Sequence, residues 1–351
     1  MAQDALDLFS QQAANRRRSR WLVVGFVLFF AWLGLGGDWV LWQVTQDAPA
    51  AGYHHLFPWL GTALLAVALG LVSYIRKTGA SKVLWSSGAW QLLEAMTPEQ
   101  KLLDNVVEEM AIAAGMPKPT IWIIEDADPN AFATGNDPQH SNIAVTTGLL
   151  TSVSRDELQA VIAHEMGHVK NLDMELMTMM AGLVGAVALI SNGLGRVLFR
   201  GGMNSSVSSS SVGRLSGGAG RKGNMGPLVL VVLVIWLVSW LLAPLITRLM
   251  ALGISRNREY LADAMSAQFT RNPLALASAL DKIERAEAPT TAIKGGVAHL
   301  CIVDPLGRRV SSLQGFVGDL LATHPPMAMR VARLKAMGYQ AQKATGNFKP
   351  S

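Results

Sequence analysis

His164-Glu165-Met166-Gly167-His168 sets two histidines four residues apart with a glutamate beside the first. On a helix that spacing turns both imidazoles to one face, where they can grip a single metal ion. The helix is signalled just upstream. Ser154 and Glu157 stand at the spacing of a capping box, and Leu158, Val161 and Ile162 share one side of the helix it opens, which runs through His164 to at least Lys170. Taken alone, the five residues could also be a pair of surface histidines. A second carboxylate-bearing helix decides against that reading.

That helix is Asn257-Arg-Glu-Tyr-Leu-Ala-Asp-Ala264, in which Glu259 and Asp263 are four residues apart and so share a face. Catalytic zinc commonly takes two His and one Glu and keeps its fourth position for water, so Glu259 is the candidate third ligand. Asp263 is then placed to accept a hydrogen bond from the free ring nitrogen of a ligating histidine. Glu165, between the two histidines, suits a general base. The alternatives are a solvated helix with Arg258 and Glu259 in surface ion pairs, and a zinc that merely staples two helices. A stapling zinc ordinarily takes four protein ligands and has no use for a carboxylate at the water position.

Ahead of the motif the local signals describe a small α+β domain. Thr97, Pro98 and Gln100 read as N-cap, first helical residue and capping-box partner of a helix that ends at Gly115, with Pro117 and Pro119 beyond. Thr120–Ile124 and Asn142–Thr147 read as strands, with a turn-prone Asn136–Gln139 between them.

The rest of the chain reads as membrane. Half the residues are hydrophobic and only 16% are charged, against about a quarter in soluble proteins. Trp21–Trp42, Leu56–Ile75, Leu176–Gly195 and Leu228–Thr247 each reach the roughly 20 residues a spanning helix needs. The third, rich in Gly, Ala and Met, also fits a buried core helix. The first run follows a basic stretch but is too long for a cleaved signal and has no small-residue cleavage site behind it, so it reads as an uncleaved anchor. Gly201–Gly226, with its Ser208–Ser211 run, reads as a flexible loop. Its basic residues Arg214, Arg221 and Lys222 fall outside in a four-span count, against the positive-inside tendency. Two apolar runs separate His168 from Glu259, an even number, as a shared ion requires. The sequence pI near 9.4 comes largely from basic residues flanking the runs, such as Arg16, Arg17, Arg18 and Arg20. They suit lipid headgroups, not nucleic acid, for which no basic stripe with interleaved aromatics is present. The lone Cys301 excludes an internal disulfide and an all-cysteine metal site. Metal transport would need ionisable residues in the spans, where they are nearly absent.

Pro129-Asn-Ala-Phe-Ala133, His164–His168, Asn257-Arg-Glu-Tyr-Leu-Ala-Asp263 and Thr323-His-Pro-Pro326 occur in the order found in the HtpX-type membrane proteases of bacteria. The chain resembles that family from about Thr97 to Leu334, and in its paired N-terminal runs. These enzymes are gluzincin metallopeptidases related to the CAAX prenyl proteases. The resemblance implies one Zn2+ per chain on His164, His168 and Glu259, Glu165 as base, and Asp263 behind the ligands with Arg330 pairing near the Glu259 helix. It further implies that Asn130, Ala131, Phe132 and Ala133 form an edge strand that pairs with substrate backbone, and that His324 stabilises the oxyanion. From the residues alone, His324 reads more simply as the start of a helix. The N-terminal extension before Arg16 and the long Gly/Ser tract depart from the family pattern.

The expected architecture is a predominantly α integral membrane protein with four apolar helices and a gluzincin-type α+β metallopeptidase domain with a small β-sheet. Its divisions are 1–77 (basic segment and transmembrane hairpin), 78–175 (catalytic, first part), 176–247 (second hairpin) and 248–351 (catalytic, second part). The basic N-terminal flank sets the N-terminus and, after two crossings, the catalytic domain in the cytoplasm, as a multi-pass protein of the bacterial inner membrane. Unfolded or membrane polypeptides are the expected substrates, within quality control and the stress response. A zinc-binding scaffold or chaperone without turnover is the alternative. Oligomeric state is not legible.

Overall fold

The computed structural model describes residues 2–45, 57–183, 234, 238, 257–286, 292–293, 300–303 and 325–344. The third apolar run beyond 183, all but two residues of the fourth, the Gly/Ser tract, Thr323 and His324 lie outside the described residues. The chain divides into two compact units, Met1–Leu22 with Tyr74–Gly182 and Met250–Ser351, and Val23–Ser73 with Leu183–Leu249.

Among the described residues two helices are long and apolar enough to cross a membrane, over Ala13–Gln43 and Trp59–Ser86. They belong to α1 (Ala2–Thr45) and α2 (Trp59–Ser86). Both exceed the apolar runs that announced them. The basic segment before Trp21 contains good helix formers, and Arg76–Ser86 contains no proline to end a helix. Within the second unit α1 and α2 meet at Gly34 and Gly61, where a side chain on either would strike the other helix. Asp38, the one charge in Trp21–Trp42, accepts hydrogen bonds from the backbone N–H groups of Leu60 and Gly61 in the first turn of α2. An acid in an apolar run is thereby explained as a cap.

The first unit holds the α+β domain. Its sheet runs in the order β1 (Trp90–Gln91), β2 (Thr120–Ile124), β4 (Ser141–Thr146), β3 (Ala131–Gly135), with β2 and β4 parallel and the outer pairings antiparallel. The strand expected to include Thr147 stops at Thr146, because the Thr146 side chain caps the short helix α4 (Thr147–Ser152) by accepting from Leu149 N–H. Both expected capping boxes form, at Thr97 for α3 (Pro98–Ala114) and at Ser154 for α5 (Arg155–Lys170). Gly115, at φ +66, ends α3 in the left-handed conformation.

Helix α5 is the axis of this unit and is buried continuously from Ala160 to Val169. It lies against α3, β3, α6 (Asn257–Thr270) and α7 (Pro273–Glu284), while α8 (Met327–Ala344) packs on α6 and α7. Glu157 ties its start to α7 by accepting from Ser278 Oγ and Lys282 Nζ, both at 2.7 Å. Along the α5/α6 seam the side chains are small. Ser266 Oγ donates to the Ala160 carbonyl at 2.7 Å, and a methyl on Gly167 would lie 3.1 Å from Ala262 Cα. Ala160, His164 and Gly167 share one face of α5, as Glu259, Ala262, Asp263 and Ser266 do on α6. The seam therefore fixes how closely the carboxylates approach the imidazoles.

A bulky side chain at that point separates the helices. Gly167→Leu is expected to lower stability by about 1–3 kcal/mol and to lower metal retention with it. Chemical denaturation and metal analysis of the variant check this, and unchanged retention would show that the seam does not set the site.

Candidate metal centre

His164 and His168 project from α5, and Glu259 from the first turn of α6. The two Nε2 atoms are 3.2 Å apart. Glu259 Oε2 lies 3.7 Å from His164 Nε2, and Oε1 3.6 Å from His168 Nε2. Ligands arranged tetrahedrally at zinc bond lengths of about 2.0–2.1 Å stand about 3.3 Å from one another, so these donors fit a single small cation of that kind. Among the described residues this is the one group of three or more His, Cys, Asp or Glu side chains that converges in this way. All three residues are buried.

Both histidines turn Nε2 toward the shared point and Nδ1 toward a carboxylate behind. Asp263 Oδ1 is 3.0 Å from His164 Nδ1, and Asp173 Oδ2 is 3.2 Å from His168 Nδ1. Asp263 is in turn gripped at both oxygens by the fully buried Arg330, at 2.9 and 2.7 Å. Arg330 Nη1 also lies 3.3 Å from Glu259 Oε2. Burial opposes ionisation of Asp263, yet Arg330 holds its carboxyl down at about 2. Burial likewise drives the His164 pKa down, which leaves its imidazole neutral, the form that binds metal. His168 differs. Burial pulls its pKa down too, but Asp173, Glu259 and Glu165 outweigh it and raise the value to about 9.

Glu165 is only 1% exposed, and its Oε1 has no hydrogen-bond partner. Burial, with the charge of Glu259, lifts its pKa to about 7 against the pull of His168, a backbone hydrogen bond from Ala133 and Arg330. A buried carboxylate without a full set of donors costs stability, and such groups concentrate where they act as proton acceptors.

The residues of the Asn130–Ala133 motif are placed differently from one another. β3 is an edge strand of the sheet, but Ala131 and Ala133 pack their side chains into one hydrophobic core and Phe132 into another. Its outer edge is largely engaged within the chain. The Ala131 carbonyl accepts from Ile302 N–H at 2.9 Å, and Ala131 N–H donates to Asn130 Oδ1 at 3.1 Å. The Asn130 amide donates to the Val303 carbonyl at 2.9 Å. His324 lies outside the described residues. Asp173 and Asn15 carry no signal in the sequence. Arg258 is 3% exposed with its Nη1 3.5 Å from Asp173 Oδ1, so it stands in the interior and not in a surface ion pair.

The profile of peptidase family M48 matches residues 98–338. A protease HtpX homolog from Thermoanaerobacter pseudethanolicus is 37% identical over 332 residues, covering 94% of this chain and 98% of that protein. One from Streptococcus gordonii is 36% identical over 332 residues and is covered completely. One from Tropheryma whipplei strain Twist is 42% identical over 277 residues, with 79% of this chain and 84% of that protein covered. Among solved structures, the crystal structure of S. mikatae Ste24p aligns at 17% identity and a TM-score of 0.41, over 93% of this chain and 66% of that one. That likeness is too loose to carry inference.

The raised His168 pKa has a measurable sign. Below about 9 the imidazole carries a proton that an incoming metal ion must displace, so metal affinity is expected to rise about tenfold per pH unit from 7 to 9, with release of one proton. Titration calorimetry of the metal-stripped protein in buffers of different ionisation enthalpy counts that proton. Uptake without proton release would contradict the assignment of His168.

Proposed function

Because the chain belongs to peptidase family M48, and so is a membrane-anchored metallopeptidase of HtpX type, we propose that it hydrolyses peptide bonds with one Zn2+ held by His164, His168 and Glu259. The observation that carries this is the convergence of those donors at 3.2–3.7 Å beside a buried carboxylate. Two nitrogens and an oxygen on a three-ligand site suit catalytic zinc, which keeps a position open. Bound zinc supplies a Lewis acid that polarises the substrate carbonyl and brings the pKa of water to about 7.

The protein's own part is proton handling and positioning. Glu165 receives the proton of the attacking water and delivers it to the departing amine. Its hydrogen bond from the Ala133 backbone orients the carboxylate, and the water-excluding packing around it keeps its proton affinity high. Asp263, clamped by Arg330, fixes the tautomer and rotation of His164. His324 is assigned to the oxyanion on family resemblance. Asn130–Ala133 supplies the edge to which an extended substrate backbone adds. Pairing at Ala131 then requires Ile302 to release the carbonyl it now occupies.

We further propose that the four apolar runs of the sequence cross the bacterial inner membrane in two pairs, the second splitting the catalytic domain, with the active site on the cytoplasmic side. The arginines at 16, 17, 18 and 20 set that orientation through the positive-inside tendency. Misfolded or damaged membrane polypeptides are the proposed substrates, in quality control, because backbone recognition at a strand edge tolerates varied side chains.

Glu165→Gln removes the proton acceptor while leaving the three ligands. The variant is expected to hold as much zinc as the parent and to cleave an unfolded polypeptide about 10²–10⁴-fold more slowly. Equal cleavage by both proteins would defeat the mechanism; equal zinc with no cleavage by the parent would favour a binding scaffold.

A further inference from the structure

Each ligating histidine has a carboxylate behind it, but the two carboxylates are held by different parts of the chain. Asp263 is locked by Arg330 from α8. Asp173 is locked from the N-terminal helix. Its Oδ1 accepts a hydrogen bond from Asn15 Nδ2 at 2.6 Å, while its Oδ2 faces His168 Nδ1 at 3.2 Å. The same Asn15 amide donates to the Asn171 carbonyl at 3.1 Å. One side chain therefore spans the turn that ends α5, in which Leu172 adopts a positive φ of 59°. Asn15, Asn171 and Asp173 are all buried. Of the residues that contribute here, Asn15 lies in Met1–Leu22, which belongs to the same compact unit as His168.

The turn matters because of helical geometry. If α5 had continued straight, Asp173 would sit about 140° around the helix from His168, at 100° per residue, and could not face its ring. The left-handed residue at 172 redirects the chain. Left-handed backbone at a branched apolar residue costs free energy and persists only where its surroundings hold it. Asn15 is a hydrogen-bond partner bridging both sides of that turn.

We infer that Asp173 and Asn15 are positioning residues for His168: Asp173 fixes the tautomer that offers Nε2 to the metal, and Asn15 holds Asp173 and its turn in place. The N-terminal helix is in that sense a working part of the metal centre and not only an anchor. The inference rests on the proposed role of His168 as a ligand. Its distinctive consequence is that a residue far from every ligand in sequence controls metal affinity.

The test measures zinc affinity of the full-length, detergent-solubilised protein by competition with a chromophoric chelator, together with the visible spectrum of the cobalt(II)-substituted form. Asp173→Asn, isosteric with the native residue, is expected to weaken zinc binding about 10–100-fold and to shift the cobalt bands. Asn15→Ala is expected to weaken it about tenfold, through loss of a hydrogen bond to a charged group. Arg17→Ala, exposed on the same helix, is expected to change neither. If His168→Ala abolishes zinc binding while Asp173→Asn and Asn15→Ala bind with parental affinity and spectrum, the inference is overturned and the ligand assignment stands. If His168→Ala binds zinc as tightly as the parent, the ligand assignment itself fails and takes the inference with it.

Discussion

The close approach of α5 and α6 is the constraint on which the rest depends. A glycine at 167 against Ala262, and a serine hydroxyl at 266 against the Ala160 carbonyl, bring two helices together that are separated by nearly ninety residues of chain. Only at that distance does the carboxylate of Glu259 reach the imidazoles of α5. Everything else in the catalytic unit serves this seam. The Ser154 capping box and the tie from Glu157 to Lys282 fix the start of α5, α7 packs on both α5 and α6, and α8 packs on α6 and α7.

The seam also gathers charge in a dry interior, which is costly unless each charge is answered. The solution is layered. Arg330 answers Asp263, and Asp173 is approached by Arg258 and Asn15, so each carboxylate is held where it can orient an imidazole. Glu165 keeps its Oε1 without a hydrogen-bond partner. A buried acid with an oxygen that lacks a donor, at the place where a proton must be taken up, is the kind of group that concentrates at active sites.

Much of this was legible because it is local or periodic. The capping boxes at Thr97 and Ser154 need only residues three apart, and the i, i+4 pairs His164/His168 and Glu259/Asp263 declare their shared faces. What escaped was non-local or broke the period. Asp173 falls off the helical face of His168 unless the turn at Leu172 is known, and Asn15 meets it across 158 residues. The two-residue strand β1 has too little pattern to detect, and the placement of β4 between β2 and β3 follows from tertiary pairing that no single stretch encodes. The motif Asn130–Ala133 was read for its backbone edge. Its side chains are instead used for the core and, at Asn130, for holding Val303.

The convergence of three side chains on one ion is tested most directly by X-ray absorption at the zinc edge of the purified protein. The account predicts nearest scatterers that are only nitrogen and oxygen, at about 2.0–2.2 Å, with the outer pattern of two imidazoles and a change in the spectrum when Glu259 is replaced by alanine. A sulfur scatterer at about 2.3 Å, or a spectrum indifferent to residue 259, would contradict it.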